Sequence, residues 1–172
     1  MNGNALYTPI TGAVIGTTAY FDGKLVARDA NLTLPEVSPM TATLQMMGEM
    51  EFPIWQLIQN MQANITKVGI DILSQTMIGP DLKPIEFRWV QMVKKLDGST
   101  AEVGCKAFMN GFPASIPGYG VEVGSPSEND HPLNLMRYRL VIDGQETVLI
   151  DRAAGKVVIN GKDYTKNMNS ML

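Results

Sequence analysis

The chain has 172 residues, with 14 Lys or Arg against 17 Asp or Glu and a formal net charge of −3. Charged residues make up 18% and hydrophobic ones 45%, which excludes a disordered chain and lets one domain of this length bury a core without disulfides or metal. A nearly neutral balance with no Lys/Arg cluster also argues against specific readout of DNA or RNA.

The first 20 residues have no basic start and no unbroken apolar run, and no later stretch gives 18 apolar residues in a row, so neither an export signal nor membrane insertion is expected. Gly12 and Gly16 form only a spaced glycine pair, which strand and turn geometry explains better than a dinucleotide motif. Asp22-Gly23 is the first hairpin signal, followed by Asp97-Gly98 and Asp143-Gly144, with Asn110-Gly111 and Asn160-Gly161 as further candidates. Tight turns need positive φ, which these residues tolerate best. Three hairpins are the economical reading.

From Pro35 to Ile54 no period is evident. The segment holds Met40, Leu44, Met46, Met47, Met50 and Phe52, interrupted by Pro39 and Pro53. An apolar arm left in water is an aggregation hazard, so these residues point to an intermolecular contact. Beyond it, Met61, Ala63 and Ile65 alternate with Asn60, Gln62, Asn64 and Thr66, a strand whose polar face is wholly uncharged. Asp71 can cap a helix of about two turns through Ile78, ended by Gly79-Pro80.

The next strand carries Ile85, Phe87 and Trp89 against Glu86 and Arg88, and its phase slips near Val90 and Gln91, which predicts a bulge there. Across the Asp97-Gly98 turn, Ala101, Val103, Cys105 and Ala107 form a half-buried face. The segment 113–132, rich in Gly, Pro and Ser, reads as a long loop and a second contact arm. The last long hairpin reads Met136, Tyr138, Leu140 and Ile142, then turns at Asp143-Gly144. Met61, Met92 and Met136 are expected in the core.

Groups able to do chemistry are few. His131, the only histidine, falls in a polar, turn-forming stretch and reads as a solvated loop residue rather than a catalytic base or metal ligand. Cys105, the only cysteine, cannot form an internal disulfide and reads as a small buried hydrophobe. No zinc, calcium or nucleotide motif is present, so no cofactor and no enzymatic activity are expected. Arg137 and Arg139 could hold an anion, but pairing with Glu86 or Glu102 across neighbouring strands is the simpler reading.

Taken in order, several landmarks resemble one family: Tyr20-Phe21-Asp22-Gly23, Leu32-Thr33-Leu34-Pro35, the Thr41-to-Glu49 arm, the strand Met61 to Ile65, the Asp71 helix, and the end from Gly120 through Leu149-Ile150-Asp151 to Ile159-Asn160-Gly161-Lys162-Asp163. The chain from about residue 18 onward is similar to the major tail tube proteins of contractile-tailed bacteriophages and R-type bacteriocins. Residues Met1 to Gly12 do not map, and the arm is richer in methionine than the family pattern.

The resemblance implies a mainly β fold: a small antiparallel β-barrel or sandwich with one short flanking helix and long contact arms. One tail-tube domain would span 1–172, with 1–12 as an N-terminal segment, 35–54 as an inter-ring contact arm and 113–132 as a long loop. Six copies would form a ring, and rings would stack head to tail into a hollow tube inside a sheath, meeting baseplate and tail terminator proteins at its ends. Such a tube is driven through a target envelope on sheath contraction and conducts DNA or ions. It is assembled in the bacterial host cytoplasm. The arm residues Pro35, Met40, Leu44, Met46, Met47, Met50 and Phe52 would make the contact between rings. Asn60, Gln62, Asn64 and Thr66 would face the lumen or a ring neighbour, and the lining should not be basic. The rival reading is a small monomeric β-barrel that binds a ligand.

Overall fold

The computed structural model describes residues 11–172. Of the expected N-terminal segment only Thr11 and Gly12 fall within it; the remainder lies outside the described residues. The chain runs β1 Thr11–Phe21, β2 Lys24–Arg28, β3 Asn31–Thr33, β4 Pro39–Gln45, β5 Glu49–Ile58, β6 Gln62–Val68, α1 Ile72–Gln75, β7 Lys83–Lys94 and β8 Thr100–Pro113. It continues with β9 Glu128–Ile142, β10 Gln145–Asp151, β11 Lys156–Ile159, β12 Lys162–Asp163 and α2 Lys166–Met171.

Four of the five turn dipeptides reverse the chain. Asp22-Gly23, Asp143-Gly144 and Asn160-Gly161 have positive φ at both positions, the two-residue hairpin geometry whose twist matches the flanking strands. Asp97-Gly98 instead belongs to a three-residue loop, with Gly98 alone at positive φ and the Lys95 N–H donating to Ser99 O at 2.9 Å. Asn110-Gly111 turns nothing. It lies inside β8, opposite a bulge on β9.

The main sheet is antiparallel and ordered β12-β11-β10-β9-β8-β7-β1-β2. The long strand β9 has two partners along the edge away from β8: β6 along Glu128–Asn134 and β10 along Arg137–Ile142. β3 pairs with β6 and follows β2 after only Asp29 and Ala30, so the hydrogen-bonded strands lead round from β2 and back to β3. The sheet therefore curls about one core, filled by Met61, Ile65, Phe87, Met109, Leu133 and Ile150. This is the expected small β-barrel or sandwich. Two short helices flank it rather than one: α1 is a single turn, and α2 at the C-terminal end carries no amphipathic signature in Lys-Asn-Met-Asn-Ser-Met.

Strand phase departs from expectation in two places. β7 keeps an unbroken period, with Gln91 turned to the same side as Phe87, Trp89 and Val93; a polar residue at an inward position imitates a slip. The bulge is opposite it, on β1, where Ile15 is the extra residue between Val14, facing Gln91, and Gly16, facing Val90. A second bulge sits on β9: Asn110 faces Arg137 while Gly111 faces Leu135, leaving Met136 unpaired. Leu135 and Tyr138 can then both be buried, and Met136 is only half-buried. Met92 is on the outer face of β7, so of the three methionines expected in the core only Met61 is fully enclosed.

The β9 bulge brings two backbones together over Gly111. A Cβ there would lie 2.8 Å from Leu135 Cδ2 and 2.9 Å from Asn134 O, and the carbonyl cannot rotate away as a side chain can. Gly111→Ala should therefore destabilise the protomer by about 1–3 kcal/mol. Equilibrium urea unfolding checks this, and a midpoint equal to the parent's would show the strands free to separate.

Candidate assembly surface

β4 and β5 form a two-stranded ribbon of their own, outside the main sheet. The period hidden by Pro39 and Pro53 is plain once the strands are paired. Met40, Ala42 and Leu44 lie opposite Ile54, Phe52 and Met50, all on one face. Thr41, Thr43 and Gln45 lie opposite Pro53, Glu51 and Glu49 on the other. Proline is tolerated because a two-stranded ribbon has a free edge on each side. The turn Met46-Met47-Gly48 is closed by the Met46 N–H donating to Gly48 O at 2.8 Å, with Met47 at φ 51° and Gly48 at φ 131°.

The ribbon is held to the body near its root, and Gln56 Nε2 just above it donates to Tyr164 O at 3.3 Å. Pro35 is buried there, so of the seven arm residues it alone is not exposed on the protomer. The Gln59 N–H donates to Ser38 O at 2.9 Å, and the Arg152 guanidinium donates to the carbonyls of Ile58 and Gln59. Above the root the register jumps: Pro39 faces Ile58 but Met40 faces Ile54, which leaves Trp55, Gln56 and Leu57 as an inserted bend. Beyond the bend the apolar face is largely open among the described residues, although Met40 shares a cleft with Ile150 and Met168. Met40, Leu44, Met50 and Phe52 are each 42–50% exposed, Met46 is 66% exposed and Met47 is wholly in solvent.

A second uncovered area surrounds α1. Asp71 caps this turn by accepting from the Ser74 N–H at 2.6 Å and pairs with Lys67, whose bond holds its carboxyl below the usual range. Ile72 on α1 is exposed, as are Ile116, Val121 and Val123 on the 114–127 loop, which Gln75 tethers through Tyr119 Oη at 2.6 Å. The loop is shorter than expected, because β9 already begins at Glu128.

That early start changes the polar face and the histidine. Asn60, Gln62, Asn64 and Thr66 share the outward face of β6 or its entry, as the alternation requires, but Asp130 of β9 joins them. Its carboxylate accepts from Thr66 Oγ1 at 2.6 Å and Asn64 Nδ2 at 3.2 Å, and these bonds lower its pKa. Asn60 Nδ2 donates to Asn134 Oδ1 at 3.2 Å. The face is thus an amide and carboxylate network, not an uncharged one. His131 points the opposite way. It is 3% exposed, paired in register with Ile65, and neither ring nitrogen has a hydrogen-bond partner among the described residues. The expected loop histidine is a strand residue because Asn129, His131, Leu133 and Leu135 alternate inward, a period that their mixed chemistry and Pro132 conceal.

The remaining reactive groups are enclosed or paired. Cys105 is buried, and burial followed by the Asp143 charge pushes its thiol up, away from the reactive thiolate. Arg137 pairs with Asp151 and Arg139 with Glu146, on β10 rather than on β7 or β8 as expected. Clefts between strands lie at the surface; one near β1 and β3 is about 280 Å³ and is lined by Leu32, Leu34, Phe87 and Trp89 among others.

The sequence model of the family described as phage tail tube protein FII matches residues 12–172. The chain belongs to that family. No individual curated protein matches it. As a tail tube protein it is a structural component of the phage tail, not an enzyme, and it assembles with itself into a tube. Geometry and family agree on the kind of site to look for: extended surfaces of copy-to-copy contact in place of a catalytic pocket. Sequence reasoning marked 35–54 and 113–132 as contact arms but missed the pairing that gives the first its two faces, together with Asp130.

His131 gives the tail tube protein an acid sensitivity. Burial lowers its pKa first, and the Lys67 cation lowers it further, against an opposing pull from Asp130. Since the folded value is depressed, the stability from keeping His131 neutral is present above the unfolded value of about 6.5 and is lost as pH falls through the folded value. Melting temperatures of the unassembled protein and of His131→Gln should therefore diverge between about pH 7 and pH 5, the parent falling faster. Parallel curves over that range would contradict the assignment.

Proposed function

We propose that this tail tube protein forms six-subunit rings stacked head to tail into the inner tube of a contractile tail, with the 35–54 arm bridging successive rings. The observation that carries this reading is the β4–β5 ribbon, whose apolar face is largely uncovered among the described residues. Two strands with a naked apolar face are marginal in water, so the ribbon gains stability when another copy covers it. A protrusion on one part of a subunit meeting a different part of the next is a heterologous contact that does not close on itself, which builds a filament. Open strand edges at β2 and β12 favour lateral pairing, and a closed ring would leave none exposed.

In this reading residues 1–172 act as one tail-tube domain, the sheath surrounds the tube, and baseplate and terminator proteins meet its ends. The particle is a phage or an R-type bacteriocin, assembled in the host cytoplasm. Its action is mechanical: the tube is driven through the envelope and conducts DNA or ions. The face of Asn60, Gln62, Asn64 and Thr66 with Asp130 suits the lumen, because amides around a carboxylate do not retain a passing polyanion.

The double substitution Met46→Asp/Met47→Asp tests the arm. Both side chains are exposed, and aspartate tolerates the left-handed backbone at residue 47, so the protomer should melt within a few degrees of the parent. Burying two carboxylates in a contact is costly, so tubes should be absent from negative-stain images at concentrations where the parent forms them. Long tubes from the variant would remove the arm from the contact.

A further inference from the structure

The ribbon has a second face, and its chemistry is as one-sided as the first. Between Pro39 and Ile58 the charged residues are Glu49 and Glu51, with no cation among them. Both lie on the face away from Met50 and Phe52, opposite Gln45 and Thr43, and among the described residues neither makes an ion pair. Two residues apart on one strand, their Cα atoms are about 7 Å apart. An assembly that covers only the apolar face leaves these carboxylates unused.

The main sheet carries a complementary feature. Pairing registers place Arg28 on β2 opposite Thr18 on β1, Thr18 opposite Arg88 on β7, and Arg88 opposite Lys106 on β8. The three cations thus form one row across four strands, about 15 Å from end to end at the usual strand spacing. All three are exposed. Like charges directly opposite each other on paired strands are unfavourable, so the Arg88 and Lys106 pairing is a cost to the lone protomer. Arg88 is partly relieved by Glu86 and by the Tyr20 ring at 4.7 Å, but Arg28 and Lys106 make no ion pair among the described residues. Asp29 and Glu86 flank the row, leaving three cations against two carboxylates. The adjoining register row is Gly16, Val90 and Gly104, which is low enough for another backbone to lie across it.

We propose that the acidic face of the β4–β5 ribbon of one copy lies on the Arg28, Arg88 and Lys106 row of a second copy. The inference rests on the ribbon being a contact arm, and it adds the landing site and its chemistry. A ribbon with one apolar and one acidic face is then enclosed from both sides, the acidic side meeting the row. Glu49 and Glu51 neutralise the cross-strand repulsion that the free protomer bears. Covered in this way, the row does not line the lumen, in keeping with a channel that must not bind a polyanion.

Charge exchange in the full chain tests the pairing. Glu49→Lys/Glu51→Lys and Arg28→Glu/Lys106→Glu should each raise the critical concentration for tube formation by about tenfold or more, measured by sedimentation and negative stain. The fourfold exchange should return it to within a few-fold of the parent, since the attraction is restored with its signs reversed. Arg88 is left in place because it also bonds Glu86. Should a substituted chain fail to fold, the parent's own response to salt decides: screening from low salt to about 0.5 M should raise its critical concentration several-fold. A row reversal that leaves assembly unchanged, a fourfold exchange no better than the worse reversal, or a salt-insensitive parent would each overturn the landing site. If Met46→Asp/Met47→Asp still blocks tubes in that event, the arm itself survives; if it does not, the arm has failed and not only its address.

Discussion

Two hydrogen-bonded strands cannot bury a face between them. A β-ribbon exposes both sides of its pleat, so any apolar side it carries must be covered by something else. In this protein the described residues leave much of that side open. The β5 bend at Trp55–Leu57 lifts the ribbon off its root, and the side chains of Met40, Leu44, Met50 and Phe52 remain near half-exposed. The rest of the molecule is organised around that debt. A filled core makes the body stiff, while Arg152 and the buried Pro35 hold the base of the ribbon against it.

Stiffness is a requirement of a tube that transmits force, and here it comes from close approach rather than from large residues. Ala19, Ala63 and Ala107 line the inward rows, and Gly111 lets β8 and β9 meet where a methyl group would not fit. Two arginines of β9 are tied to the neighbouring strand β10, Arg137 to Asp151 and Arg139 to Glu146. Such exposed pairs add little stability individually. Arg28, Lys106, Glu49 and Glu51 are among the charges that make no ion pair among the described residues, and the proposed contact between copies would pair them.

Much of this was legible in the residues. Alternation placed Met61, Ala63, Ile65, Cys105 and Ala107 inside, the three Asp-Gly steps and Asn160-Gly161 marked the reversals, and Asp71 marked the helix start. The failures share a cause: a polar or ring-closed residue at an inward position breaks the visible period without breaking the strand. Gln91 produced a bulge on the wrong strand, His131 and Pro132 hid the first half of β9, and Pro39 and Pro53 disguised the ribbon as an aperiodic arm. Bulges such as Met136 are invisible in one strand alone, because they are defined by the register of two. Nor could any pattern show that Asp130 joins Asn64 and Thr66, since that network depends on β9 lying beside β6.

The central claim is that the β4–β5 ribbon is left uncovered by its own chain and is enclosed by neighbouring copies. Hydrogen exchange at the amides of residues 41–54, compared between unassembled protein and tubes, tests this most directly. The account predicts rapid exchange in the lone protomer, as for a marginal ribbon, and strong protection on assembly, while the amides of β8 and β9 are protected in both. Equal protection of the ribbon in the two states would show it already covered by its own body and would contradict the account.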